Sequence, residues 1–189
     1  MYLFFDTETT GLPRNWKAPI SDLNNWPRLV QLAYIGFDDS GRQLLDQSVI
    51  IEPDGWTVDA EASRVHGITV DRARREGVPL IHALEDFRIQ LNRATTLVAH
   101  NMAFDEKIVG AEFLRSFEVN YLDGKRRLCT METATPLVAI QGYNGYKWPK
   151  LSELHEFLFG EDFEEAHDAG ADIAATARCF WEMRRLGKI

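Results

Sequence analysis

The chain has 189 residues, 45% of them hydrophobic, which is enough for one filled core and too little for two full domains. Its 29 acidic residues outnumber 21 basic ones, for a net charge of -8. This excludes a passive nucleic-acid coat whose affinity rests on a basic surface, but not an enzyme whose acids hold metal ions. We expect one domain over residues 1–189.

The chain begins with a short apolar run, Tyr-Leu-Phe-Phe at residues 2–5, which predicts a buried central strand. Asp6 and Glu8 follow it directly, before a turn at Gly11. Because side chains alternate faces in a strand, these two carboxylates point the same way. A polar strand end is one interpretation, and a pair of ligands for a divalent cation is the other. The apolar run before the pair and the Thr-Thr-Gly-Leu after it favour the metal site.

Residues 12–27 contain three prolines and no periodic pattern, so they predict a loop. Its tryptophans, Trp16 and Trp26, can form a platform for stacked bases, although anchoring of the loop to the domain is the more frequent role. Residues 29–37 and 44–51 read as two strands around a turn at 38–41, and predict an antiparallel hairpin.

Helical patterns dominate the rest of the chain. Asp59 is a candidate N-cap for a helix that ends at His66, before Gly67. Further helices are expected from Asp71, from Pro79, and over 103–117, 131–139, 151–159 and 168–186, with short strands at 95–99 and 128–130 and a loop at 142–149. Strands first, followed by helices that alternate with two further strands, predict an α/β domain with a mixed sheet.

Two later stretches also carry acids at the start of a helix. They are residues 100–105, His-Asn-Met-Ala-Phe-Asp, and residues 167–172, His-Asp-Ala-Gly-Ala-Asp. Taken singly, Asp105 can simply favour the helix dipole and Asp168 can be an N-cap. Asp172 lies one turn further in, on a face that we expect to be buried, where an acid needs a partner. Four acids from one strand and two helix starts can converge on two cations about 4 Å apart.

Together, residues 6–12, 100–105 and 167–172 resemble the three exonuclease motifs of the DEDD superfamily. The resemblance is to the subgroup with histidine in its third motif, which includes ribonuclease T and the proofreading epsilon subunit of bacterial DNA polymerase III. It implies a ribonuclease-H-like fold, with a five-stranded mixed sheet flanked by helices. It also implies a 3′–5′ exonuclease that releases nucleoside monophosphates from the 3′ end of DNA, using two Mg²⁺ or Mn²⁺ ions.

The resemblance also assigns roles to individual residues. It implies that Asp6, Glu8, Asp105 and Asp172 are metal ligands and that His167 is the general base. An imidazole with a pKa of about 6.5 can accept the proton of an attacking water near neutral pH. The residues expected beside the terminal nucleotide are Thr9, Leu12, Glu61, His66, Ile68, Asn101 and Phe104. Two of these have ordinary alternatives, since His66 can satisfy carbonyls at a helix end and Phe104 can belong to the core.

Cys129 and Cys179 lack metal-ligand spacing, and no signal peptide or membrane span is evident. We therefore expect a cytoplasmic protein in a reducing compartment. The expected partner is a single-stranded or frayed 3′ end of nucleic acid, DNA rather than RNA. The resemblance adds a replicative polymerase, although the chain ends just after its last helix, without a tail for binding one. An exoribonuclease and a catalytically silent nucleic-acid-binding domain of the same fold stay open as alternatives, as does the oligomeric state.

Overall fold

A computed structural model describes residues 1–161, 163 and 168–189. Its main sheet contains five strands: β1 (Tyr2–Thr9), β2 (Leu29–Phe37), β3 (Gln43–Ile50), β4 (Thr96–Ala99) and β5 (Arg126–Cys129). Their order in the sheet is β3-β2-β1-β4-β5. Because β1 pairs antiparallel with β2 and parallel with β4, the sheet is mixed, as predicted.

Helices cover both faces of this sheet. Among the described residues they are α1 (Ala60–His66), α2 (Val70–Glu76), α3 (Leu80–Arg93), α4 (Met102–Phe117), α5 (Thr130–Val138), α6 (Leu151–Phe159) and α7 (Ala169–Arg185). The buried side chains of α3 and α4 pack on one face of the sheet, and those of α7 pack on the other face. None of the described helices is long and apolar enough to cross a membrane.

The central strand β1 is held on both faces by aromatic side chains. Phe5 contacts Phe87 of α3, with ring centroids 5.6 Å apart, while Phe4 contacts Phe180 of α7 at 5.0 Å. Burial of one such side chain contributes roughly 1.5–3 kcal/mol. The alternation continues past these rings, so Asp6 and Glu8 follow the Phe4 face of the strand.

The structure differs from the sequence prediction in two short elements. The expected loop at 142–149 contains a small hairpin, β6 (Gln141–Gly142) and β7 (Gly145–Tyr146), which is too short to show a periodic pattern. Strand β5 begins at Arg126 rather than at Leu128. It is an edge strand whose first two residues are exposed arginines, and this conceals its β character in the sequence.

The two tryptophans of the 12–27 loop have different environments. Trp26 is 3% exposed, and its indole N–H donates to the carbonyl oxygen of Pro19 at 3.0 Å. The anchoring role is therefore confirmed for Trp26. Trp16 is 52% exposed and packs against Phe104, with ring centroids 5.6 Å apart.

Candidate active site

Three of the predicted acids lie together at the end of β1. Asp6 and Glu8 lie on the face covered by α7, and Asp172 comes from the first turn of that helix. One carboxylate oxygen of each lies within 4.8 Å of the others. Among the described residues, this acidic cluster is the group of carboxylates whose spacing suits a metal ion.

The start of α7 is fixed by Asp168, which positions Asp172 one turn later. The Asp168 carboxylate accepts hydrogen bonds from the backbone N–H of Gly170 at 2.9 Å and of Ala171 at 3.2 Å. Its other oxygen accepts from the amide of Gln31 on β2 at 3.2 Å. The predicted N-cap role of Asp168 is thus confirmed, and β2 helps to hold the helix start beside the acidic cluster.

Asp105 approaches the same strand from the opposite face. It is 3% exposed, and its carboxylate accepts a hydrogen bond of 2.7 Å from the hydroxyl of Thr7. Asp105 is not one of the three acids within mutual ligand distance. Sequence reasoning did not identify Thr7 as a site residue. Its place between two acids, on the other face of the strand, was the available signal.

A cavity of about 480 Å³ opens beside the acids. Glu8 lies on its wall, with five of the seven residues expected to contact substrate: Thr9, Leu12, Glu61, His66 and Phe104. Leu12 is 75% exposed. Ile68 is fully buried in a cluster with Val30 and Ala73, away from this wall, and Asn101 lines a neighbouring cavity.

His66 connects the end of α1 to the end of β1. Its Nδ1 accepts from the backbone N–H of Ile68 at 3.1 Å, so Nε2 carries the proton and donates to the Thr9 carbonyl oxygen at 3.3 Å. Burial lowers the pKa of this imidazole. His66 therefore satisfies backbone groups, as one of its two interpretations held, and it also forms part of the cavity wall.

His100, the first residue of the second motif, is held away from the acidic cluster. Its ring lies 3.0 Å from the Thr130 hydroxyl and 3.1 Å from the carbonyl oxygen of Pro149. Burial lowers its pKa to about 4, so the ring is neutral near pH 7. It connects β4 to the segment that precedes α6. His167, the predicted general base, lies outside the described residues.

Comparison with known protein families decides the class of this site. A family model described as RNase_T, exonuclease, matches residues 3–180, nearly the whole chain. The chain belongs to this exonuclease family. The enzyme class of the RNase_T domain is that of an exonuclease, a hydrolase of phosphodiester bonds. A search of curated proteins finds no significant match.

The RNase_T domain shares its fold with solved exonuclease I structures. That of Escherichia coli exonuclease I with a dT13 oligonucleotide has a TM-score of 0.75 and 21% identity, covering 98% of this chain and 42% of that one. The zinc-bound E. coli complex with single-stranded DNA has a TM-score of 0.75 and 23% identity, covering 98% of this chain and 40% of that one. Exonuclease I from Methylocaldum szegediense has a TM-score of 0.74 and 20% identity, covering 97% of this chain and 40% of that one. The RNase_T domain spans about two fifths of their length.

The acids of the RNase_T domain sit in an unfavourable electrostatic environment. Burial, followed by the charges of Asp172, Asp105 and Asp168, raises the pKa of Glu8 to about 8. Burial and the neighbouring carboxylates also raise the pKa of Asp6 well above its usual value. For Asp105, burial raises the pKa although the Thr7 hydrogen bond opposes this. The protein therefore holds carboxylates that repel one another when ionised.

This donor set fits a divalent cation. Carboxylate oxygens are hard ligands of the kind that Mg²⁺ and Mn²⁺ prefer, and three of them lie within 4.8 Å of one another. A bound cation would offset the repulsion that raises the pKa values of Asp6 and Glu8. The residues present in the RNase_T domain are therefore suited to hold the metal that the exonuclease family implies.

These shifts predict that the metal-free protein loses stability as pH rises. The pKa of Glu8 rises from 4.5 to about 8 on folding. Between these two pH values the folded state therefore binds more protons than the unfolded state. The stabilisation is complete below about pH 4.5 and is lost as pH rises through about 8. In chelator, the melting temperature of the wild type should fall from pH 5.5 to pH 8.5 more steeply than that of Glu8→Gln. Equal slopes for the two proteins would contradict the assignment.

Proposed function

We propose that this RNase_T domain, residues 1–189, is a metal-dependent exonuclease that releases nucleoside monophosphates from the 3′ end of single-stranded or frayed DNA. The observation that carries the proposal is the acidic cluster of Asp6, Glu8 and Asp172 beside a cavity of about 480 Å³, in a chain of the exonuclease family. Filled acidic positions also argue against a catalytically silent domain.

Two divalent cations, Mg²⁺ or Mn²⁺, are the proposed cofactors. Asp6, Glu8 and Asp172 would hold them, with Asp105 as the fourth ligand at the Thr7 side of the strand. When bound, such ions activate water, offset charge on the phosphate and stabilise the leaving oxygen. That one solved exonuclease I complex of this fold is a zinc-bound form supports a divalent metal as cofactor.

His167 is the proposed general base. It immediately precedes Asp168, whose carboxylate is close enough to the acids to raise the pKa of Glu8. A neutral imidazole there can take the proton from the attacking water, after which the 3′ oxygen of the preceding nucleotide leaves and the terminal phosphate goes with its nucleoside.

The cavity is the proposed seat of the terminal nucleotide. Leu12 and Phe104 offer apolar surface to a base, and Glu61 and Thr9 offer polar groups for the sugar. His66 would keep its bond to the Thr9 carbonyl and so hold this wall in place. Asn101 and Ile68, in contrast, would act from outside the cavity, Ile68 by donating its N–H to His66.

DNA is proposed as the substrate because two exonuclease I structures with this fold hold dT13 and dA16 oligonucleotides. A proofreading role in replication or repair, a replicative polymerase as partner and a cytoplasmic location complete the proposal. The proofreading role is testable by measuring the cleavage rate of a primer with a mismatched 3′ end and of the same primer fully paired, each with and without a polymerase.

The decisive assay uses 5′-labelled oligonucleotides of one sequence, as DNA and as RNA, with Mg²⁺, Mn²⁺ or chelator. We expect labelled products that shorten from the 3′ end, because a cavity that seats one terminal base requires a free end. Single strands should be cut faster than duplexes, since unpairing a base costs a few kcal/mol. A circular single strand of the same composition is the matched control. Comparable cutting of the circle would refute the proposal, and faster cutting of RNA would reassign the substrate.

A further inference from the structure

A second cavity, of about 440 Å³, adjoins the one beside the acids. Phe104 lies on the wall of both cavities, so they share one side. The second wall also carries Trp16 and Trp148, together with Lys107. The proposed seat of the terminal nucleotide therefore continues into a surface with two tryptophans, which we call the tryptophan surface.

Both tryptophans are exposed although their backbones are tied to the domain. Trp16 is 52% and Trp148 is 64% exposed. The Lys107 ammonium donates to the Trp16 carbonyl oxygen at 2.9 Å, and the residue after Trp148, Pro149, is bonded to His100. Large aromatic rings held in place at the surface offer apolar area that a ligand can cover.

The chemistry of the tryptophan surface favours unpaired bases over an apolar protein segment. Both tryptophans are more than half exposed, and Lys107 lies on the same wall, with Glu132 as an acid there. Lys17 and Lys147 are exposed neighbours of the two tryptophans in the chain, and the Lys147 ammonium is paired with Glu153. In a protein with net charge -8, the positive charge that Lys17 and Lys107 place next to Trp16 suits a phosphate backbone. Aromatic rings combined with such a groove are the usual means of binding single strands.

We propose that the tryptophan surface binds the nucleotides that precede the 3′-terminal nucleotide of single-stranded DNA, with bases stacked on Trp16 and Trp148. The inference rests on the proposed function, since it extends the strand that enters the first cavity. Occupation of the surface would make cleavage of a long oligonucleotide more efficient than cleavage of a short one. It would also make cleavage of double-stranded 3′ ends slower, because bases in a duplex are stacked on their neighbours and do not offer a face to a side chain.

The test compares substrates of increasing length in Trp16→Ala and Trp148→Ala. The substrates are the p-nitrophenyl ester of thymidine 5′-monophosphate, which fills the first cavity alone, and the series dT2 to dT8. Each protein's kcat/KM for dT8 is divided by its own value for the ester. We expect this ratio to fall about five-fold or more in each variant, from the loss of one stacked base. Trp16→Phe, which keeps an aromatic ring, should recover most of it.

Tyr143→Ala is the matched control, since Tyr143 is a fully exposed aromatic residue on the β6–β7 hairpin and lines neither cavity. Its ratio should equal that of the wild type. Anisotropy of labelled dT8 in chelator gives a second readout without turnover, with the same ranking of variants. Unchanged ratios and unchanged binding in both tryptophan variants would overturn the inference while leaving the exonuclease intact. Absence of cleavage of every substrate by the wild type would instead overturn the proposed function.

Discussion

Replacement of Glu8 by Gln is expected to reduce DNA turnover about 10³-fold or more, while the metal-free protein becomes more stable. The amide keeps the shape of the side chain and removes one charge from the acidic cluster. Metal ions contribute several kcal/mol to such reactions, and about 1.4 kcal/mol is a factor of ten in rate. Without metal, the loss of this charge relieves the repulsion between Glu8 and Asp172.

The measurement is a set of melting curves with Mn²⁺ and with chelator, beside turnover of a labelled single strand. An ion that binds only the folded wild type stabilises it by about 2.7 kcal/mol at a hundred times its dissociation constant. Glu8→Gln should melt higher than the wild type in chelator and gain less from Mn²⁺. Glu85→Gln, the same change at an exposed site on α3, is the control and should match the wild type. A full Mn²⁺ shift in Glu8→Gln would remove Glu8 from the proposed ligands.

Replacement of His167 by Ala is expected to lower turnover by about 10²- to 10⁴-fold and to leave the Mn²⁺ stabilisation intact. The magnitude is that of a lost general base, and the metal response persists because the imidazole handles a proton without holding an ion. The residual rate of the variant should rise with pH, since hydroxide replaces the missing base.

His82→Ala provides the control for this variant, because His82 is an exposed histidine on α3. Its turnover and its melting curves should both equal those of the wild type. Turnover of His167→Ala that matches the wild type at pH 7.5 would show that another group accepts the proton. A lost Mn²⁺ shift would instead make His167 part of the metal site rather than a base.

Much of the fold could be predicted because its signals are local. The apolar runs at residues 2–5 and in β2 and the helical pattern of α6 are local properties, and the structure confirms those elements. The hairpin of β6 and β7 was missed because two-residue strands have no period. The N-cap at Asp168 is also a local signal, and it was predicted correctly from its place before a helix.

Strand alternation and the motifs predicted individual residues of the candidate site, but not the contacts between distant parts of the chain. Alternation placed Asp6 and Glu8 on one face, and the structure brings Asp172, an acid of the third motif, beside them. The bond between Thr7 and Asp105 joins residues 98 positions apart, a tertiary contact that no local pattern contains. The sharing of Phe104 between two cavities is likewise a product of tertiary packing.

The loop of residues 12–27 has no regular secondary structure, yet α4 holds it along its length. Lys107 bonds the carbonyl of Trp16, and Arg115 donates to the carbonyl oxygens of Leu23 and Trp26. At Gly110 the loop comes so near that an added Cβ would lie 2.2 Å from Ile20. The wall that carries Trp16 is thus preorganised, and association with a strand needs no folding of the loop. The entropic cost of binding then falls mainly on the incoming strand, which leaves more of the contact energy to appear as affinity.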